Sequence, residues 1–109
     1  MWFIFPQLAG LGRSPTAQYF AIHSLKEAGA YLDHAVLGPR LRQSVDALLG
    51  WAGVRSAKEI LGSVDAMKLA SSLTLFDKVA PRGIFAFALD RFFDGQADPR
   101  TLALLNAQE

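Results

Sequence analysis

The chain has 109 residues, 51% of them hydrophobic and 19% charged, a formal net charge of +1, and no cysteine. That is enough chain for one domain with a core, and it excludes disulfides, thiolate catalysis and cysteine-ligated zinc. Lysines and arginines are scattered among the carboxylates, which argues against nucleic acid as a partner.

The chain opens on Met1-Trp2-Phe3-Ile4-Phe5 and breaks at Pro6-Gln7. This run is far short of the roughly 20 apolar residues of a membrane span. It also lacks the leading positive charge of a signal peptide. No membrane partner is expected, and the expected location is cytoplasmic. The stretch reads as a buried extended segment that turns and presents a polar loop through Gly10, Gly12 and Pro15. Chain ends are usually solvated, so Trp2 in an apolar run reads either as an ordinary edge strand or buried tail, or as the sign of a further segment before Met1.

Ser14-Pro15 reads as an N-cap with proline at the first helical position. Tyr19-Phe20-Ala21-Ile22 either continues that helix or forms a short strand. Ser24-Leu25-Lys26-Glu27 has the spacing of a capping box and predicts a helix from Leu25 to about His34, with Leu25, Ala28, Tyr31 and Leu32 on its apolar face. After Gly38-Pro39, the recurrence of Leu37, Leu41, Val45, Leu48 and Leu49 predicts an amphipathic helix. Ser56-Ala57-Lys58-Glu59 is a second capping box, for a short element ending at Gly62. Ser63 or Asp65 is expected to cap the next helix, with Met67, Ala70, Leu73 and Phe76 as its buried stripe. Phe85, Leu89 and Phe92 mark another helix, closed by Gly95, and Asp98-Pro99 starts a last one held by Leu102 and Leu105. The expected fold is a single mainly-α domain over residues 1–109. It has five or six short helices and at most one or two short strands, around residues 2–7 and 18–22.

Most catalytic templates are absent. Gly10-Leu11-Gly12-Arg13-Ser14-Pro15 lacks the third glycine and the βαβ context of a dinucleotide loop. Ser14 is not in a nucleophile elbow. His23 and His34 lack zinc-binding spacing, and a histidine at a helix end, such as His34, reads first as a cap. No metal or cofactor is expected, and the sequence singles out no catalytic residue. The best polar cluster is Asp65, Lys68, Ser71 and Ser72. On a helix, Asp65, Lys68 and Ser72 share a face, and Lys68 with the two serines can hold a phosphate or a sugar hydroxyl. The same residues can instead form a surface ion pair, with the hydroxyls bonding back to carbonyls one turn earlier. Gln7, at the edge of an apolar segment, needs partners for its amide, either backbone or ligand.

Met1-Trp2-Phe3-Ile4-Phe5-Pro6-Gln7 and Gly10-Leu11-Gly12-Arg13-Ser14 resemble the opening of a bacterial family of unknown function that is often labelled calpastatin. The resemblance continues through Glu27-Ala28, Val36-Leu37-Gly38-Pro39-Arg40-Leu41, Lys68-Leu69, Ser71-Ser72-Leu73-Thr74-Leu75-Phe76 and Asp98-Pro99-Arg100-Thr101-Leu102, and so covers the whole chain. It implies an N-terminally shortened member, because relatives carry a further helical segment before this methionine. Ala35 and Ala70 stand where the family usually has Pro and Arg. A fainter similarity links the chain to the NADAR group of helical N-glycosidases.

Three functions are therefore expected in turn. The first is binding of a small anionic, phosphate- or ribose-containing ligand by Gln7, Ser14, Tyr19, Lys68, Ser71 and Ser72, with Trp2 or Tyr19 as an aromatic wall. The second is a non-catalytic interaction module that self-associates through the exposed N-terminal apolar segment. The third, implied by the NADAR resemblance, is cleavage of an N-glycosidic bond in ADP-ribose-type compounds, for which Asp65 and Asp90 are the candidate carboxylates.

Overall fold

A helix begins where its first free N–H groups find acceptors, and the computed structural model, which describes residues 5–11, 15, 18 and 21–108, follows that rule at most of its helices. Helix α1 (Leu25–Asp33) starts at Ser24, whose Oγ accepts the Glu27 N–H at 3.1 Å. The expected second arm of the box lands elsewhere. Glu27 Oε2 accepts from the His23 N–H at 3.0 Å, drawn one residue outward because it also lies 3.3 Å from the His23 ring nitrogen Nδ1. Helix α2 (Leu37–Leu49) carries Pro39 in its first turn, where no N–H is needed, and buries Leu41 and Val45. Helix α3 (Ala57–Leu61) has both arms of its capping box: Glu59 N–H to Ser56 Oγ at 3.1 Å, and Ser56 N–H to Glu59 Oε1 at 2.9 Å.

Helix α4 (Ser63–Val79) departs from expectation at its start. Neither Ser63 nor Asp65 caps it. A single residue, Gly62 at φ +85°, separates it from α3, so Ser63 is already helical. Its stripe is also rotated from the expected one. Met67 is 59% exposed, and the buried set runs through Ala66, Leu69, Leu73 and Phe76. Both sets have helical spacing and apolar character, and packing against neighbours selects between them. Helix α5 (Ile84–Phe93) ends in Asp94 and Gly95, both left-handed, with the Gly95 N–H on the Leu89 carbonyl at 3.1 Å. Helix α6 (Pro99–Gln108) starts from Asp98, whose Oδ2 accepts the Thr101 N–H at 2.9 Å.

Among the described residues the only β pairing is one parallel bridge between Leu8 and Ile22. Pro15 and Gln18 are helical. The fold is mainly α, as the hydrophobic periodicity predicts. Helix α4 is its axis: it packs against α1, α3, α5 and α6, while α2 closes the far side against α1 and α5. Every residue from Ser71 to Phe76 is buried. The Phe76 ring lies 5.6 Å from both Tyr31 and Phe85, and the Arg42 guanidinium covers Phe85 at 5.4 Å. No helix among the described residues is long and apolar enough to cross a membrane.

Candidate functional site

Two adjacent serines on α4 have different fates. Helical geometry turns them about 100° apart, and only Ser71 faces α6. Its hydroxyl reaches the Met67 carbonyl at 3.1 Å and Asp98 Oδ2 at 3.3 Å. Thr74, one turn on, donates to the Ala70 carbonyl at 2.7 Å and accepts the Asp98 N–H at 2.8 Å. Thr101 donates its hydroxyl to the same Asp98 oxygen at 2.7 Å. Ser71, Thr74, Asp98 and Thr101 thus form a closed, largely buried network that clamps the start of α6 onto α4. The Asp98 cap was legible in the sequence. The role of the two threonines was not, although Thr101 at the third position after a capping Asp was the available signal.

Ser72 points elsewhere. It is fully buried, and its Oγ has no hydrogen-bond partner among the described residues. Lys68 lies one turn earlier on the same face, with its side chain 20% exposed and its Nζ 3.4 Å from Asp65 Oδ1. The ion pair and the back-bonding of Ser71 and Thr74 match the structural alternative read from the sequence. The Ser72 hydroxyl does not fit that alternative, since a buried hydroxyl without a partner costs about 1–3 kcal/mol.

Gln7 lies in a different recess. It is buried beside the Leu8–Ile22 bridge, and its carbonyl accepts the Ile22 N–H at 2.8 Å. With Ala9, Gly10, Gln18, Ala21 and His23 it lines a cleft of about 250 Å³. Lys68, Ser71 and Ser72 do not line that cleft. The end of α6 is tied in below it by Gln108 Nε2 on the His23 carbonyl, at 2.8 Å. Ser14 and Tyr19 lie outside the described residues, as does Trp2.

Histidine 34 is both the C-cap of α1 and an acceptor for α2. Its N–H bonds to the Tyr31 carbonyl, while its Nδ1 accepts from Val36 and Leu37, each at 3.1 Å. That use requires an unprotonated Nδ1. Burial pushes the nearby Tyr31 phenol up, with the charge of Arg40 pulling it the other way. Asp77 Oδ1 is a second buried acceptor without a partner among the described residues. No group of three metal-ligating side chains occurs among them.

Residues 1–105 match the family described as "Protein of unknown function (DUF1810)". No curated protein matches the chain. Among solved structures, the chain is similar to the conserved hypothetical protein Rv1873 from Mycobacterium tuberculosis. The two are 46% identical, with a TM-score of 0.90, and the match covers 96% of this chain and 75% of that one.

Proposed function

Since the chain belongs to the DUF1810 family of proteins of unknown function, we propose from its own chemistry that it is a cytoplasmic domain that binds a small anionic ligand, phosphate- or ribose-containing, on the Lys68–Ser72 face of α4. The observation that carries this reading is the unpartnered hydroxyl of Ser72, one helical turn from a largely sheltered cation. A phosphate oxygen can accept the Ser72 proton and share the Lys68 ammonium with Asp65. Ser71 contributes by fixing α4 against Asp98, which holds the face in register. Gln7 lines the separate cleft beside the Leu8–Ile22 bridge and is not part of this face.

The test is an amide NMR titration of the full chain with inorganic phosphate and with ADP-ribose. Shifts centred on Lys68 and Ser72, abolished by Lys68→Ala in a protein whose spectrum stays dispersed, support the reading. A folded K68A chain that binds as before removes it.

Asp65 favours a second reading, because its carboxylate stands beside Lys68 on the same face. In a NADAR-like N-glycosidase such a group would balance the charge of a ribosyl cation as the glycosidic bond breaks. Asp90, exposed on α5, is the other carboxylate of the right type. Release of base or ribose from ADP-ribose-type compounds, lost in Asp65→Asn, is the expected result; no release from any of them eliminates this reading. The non-catalytic alternative is a module that self-associates through the N-terminal apolar segment, whose residues 1–4 lie outside the described residues; Val64 and Met67, 66% and 59% exposed at the start of α4, add a second apolar surface. Sedimentation over a range of concentrations tests it, and a monomer throughout counts against it.

A further inference from the structure

The turn between α2 and α3 brings two arginines and an indole to one place. The Trp51 N–H bonds to the Leu48 carbonyl at 2.9 Å, and the Trp51 carbonyl accepts from Val54 and Arg55, both at 3.0 Å. The turn is therefore closed on itself. Gly53, at φ +82°, makes the reversal and lies against α5: a Cβ there would stand 3.6 Å from an Arg91 guanidinium nitrogen. Two recesses meet at this point. One, of about 310 Å³, is lined by Gly53, Arg55, Glu59, Arg91 and Phe92 among others. The other, of about 380 Å³, is lined by Trp51, Arg55, Glu59 and Ile60. Both volumes fall within the range of roughly 300–1,000 Å³ that small-molecule sites occupy.

Three features distinguish this place from ordinary surface. Trp51 leaves 52% of its surface in water, although it is held on a hydrogen-bonded turn. Neither the Arg55 nor the Arg91 guanidinium forms an ion pair among the described residues. The one carboxylate in the recess, Glu59, already accepts the Ser56 N–H. Two guanidiniums against one engaged carboxylate leave the recess positive, beside a half-exposed indole. Arginine forks suit phosphate geometry, and indole suits a stacked ring.

We propose that this recess is a second binding site, for a planar aromatic ring bearing a phosphate, with the ring on Trp51 and the phosphate between Arg55 and Arg91. The site is independent of the Lys68–Ser72 face. The probe is AMP, followed by NMR through the Trp51 indole and the Gly53 and Arg55 amides, with adenosine and inorganic phosphate as the two partial ligands.

AMP is expected to shift these signals and to bind at least about tenfold more tightly than either partial ligand. Arg55→Ala and Arg91→Ala should each weaken AMP by about tenfold or more, and Arg91→Lys should recover part of that loss. Trp51→Leu should reduce AMP to the affinity of phosphate. Absence of any Trp51 shift at millimolar AMP overturns the proposal. So do folded arginine variants that bind AMP as the wild type does. Shifts confined to Lys68 and Ser72 would overturn it while leaving the first site standing.

Discussion

Thr74 accepts the Asp98 N–H at 2.8 Å with the same oxygen whose proton it gives to the Ala70 carbonyl at 2.7 Å. One hydroxyl therefore ties helix α4 to the residue that caps α6. Thr74→Val keeps the shape and leaves the part-buried Asp98 N–H without an acceptor. The expected loss is about 1–3 kcal/mol. It should appear as a lower urea midpoint with an unchanged slope. Thr74→Ser keeps the bond and should cost less.

Gly38 stands where α2 crosses the last turn of α1, and a Cβ there would overlap the Leu32 carbonyl oxygen. Backbone cannot swing aside as a side chain can. Gly38→Ala should cost about 3 kcal/mol or more, measured by chemical denaturation. Gly29, whose added Cβ would meet only a Val79 methyl at 3.7 Å, is the control. Gly29→Ala lies inside α1 and should be neutral or stabilising.

The pH dependence of α3 follows from its capping box. The Ser56 backbone N–H, and then its side chain, hold the Glu59 carboxyl below the ordinary glutamate value, against an opposing effect of desolvation and with a lesser further pull from the charge of Arg55. A carboxyl lowered by folding adds stability that is fully present above its unfolded value and is lost as pH falls through its folded one. The stability difference between wild type and Glu59→Gln should be constant from neutral pH down to the ordinary glutamate range. It should then shrink on further acidification. Urea denaturation at a series of pH values measures it.

Ser72→Ala separates the two meanings of an unpartnered hydroxyl. Removing it deletes a desolvated group and leaves no partner stranded, so the fold should be unharmed or stabilised by up to about 1 kcal/mol. Phosphate or ADP-ribose binding at Lys68 should fall in the same variant. A clear loss of stability would instead show that the hydroxyl has a structural partner.

The parts of the fold legible in the sequence are those with local causes. Ser24, Ser56 and Asp98 announce helix starts because a cap and its N–H lie within three residues. The stripe of Leu41 and Val45 is legible because α2 has one wet face. Helix α4 is not legible in this way. It is buried all round between Ser71 and Phe76, hydroxyls included, so periodicity cannot fix its rotation, and Met67 is assigned inward when it faces out. The candidate site depends on the same ambiguity. Ser71 and Ser72 look equivalent in sequence. What separates them is Asp98, 27 residues beyond Ser71, whose carboxylate engages one hydroxyl and not the other. The Trp51 recess is hidden for a similar reason, since Arg91 meets the Gly53 turn only through the packing of α5 beside α2.

Because α1, α3, α5 and α6 all rest on α4, withdrawing any one of them wets the same helix. Partial opening therefore exposes the most continuously buried segment among the described residues, and the intermediate states that a looser bundle would populate are penalised together. Amide hydrogens from Ser71 to Phe76 should exchange with solvent only through global unfolding, and their exchange rates would report the stability of the whole domain.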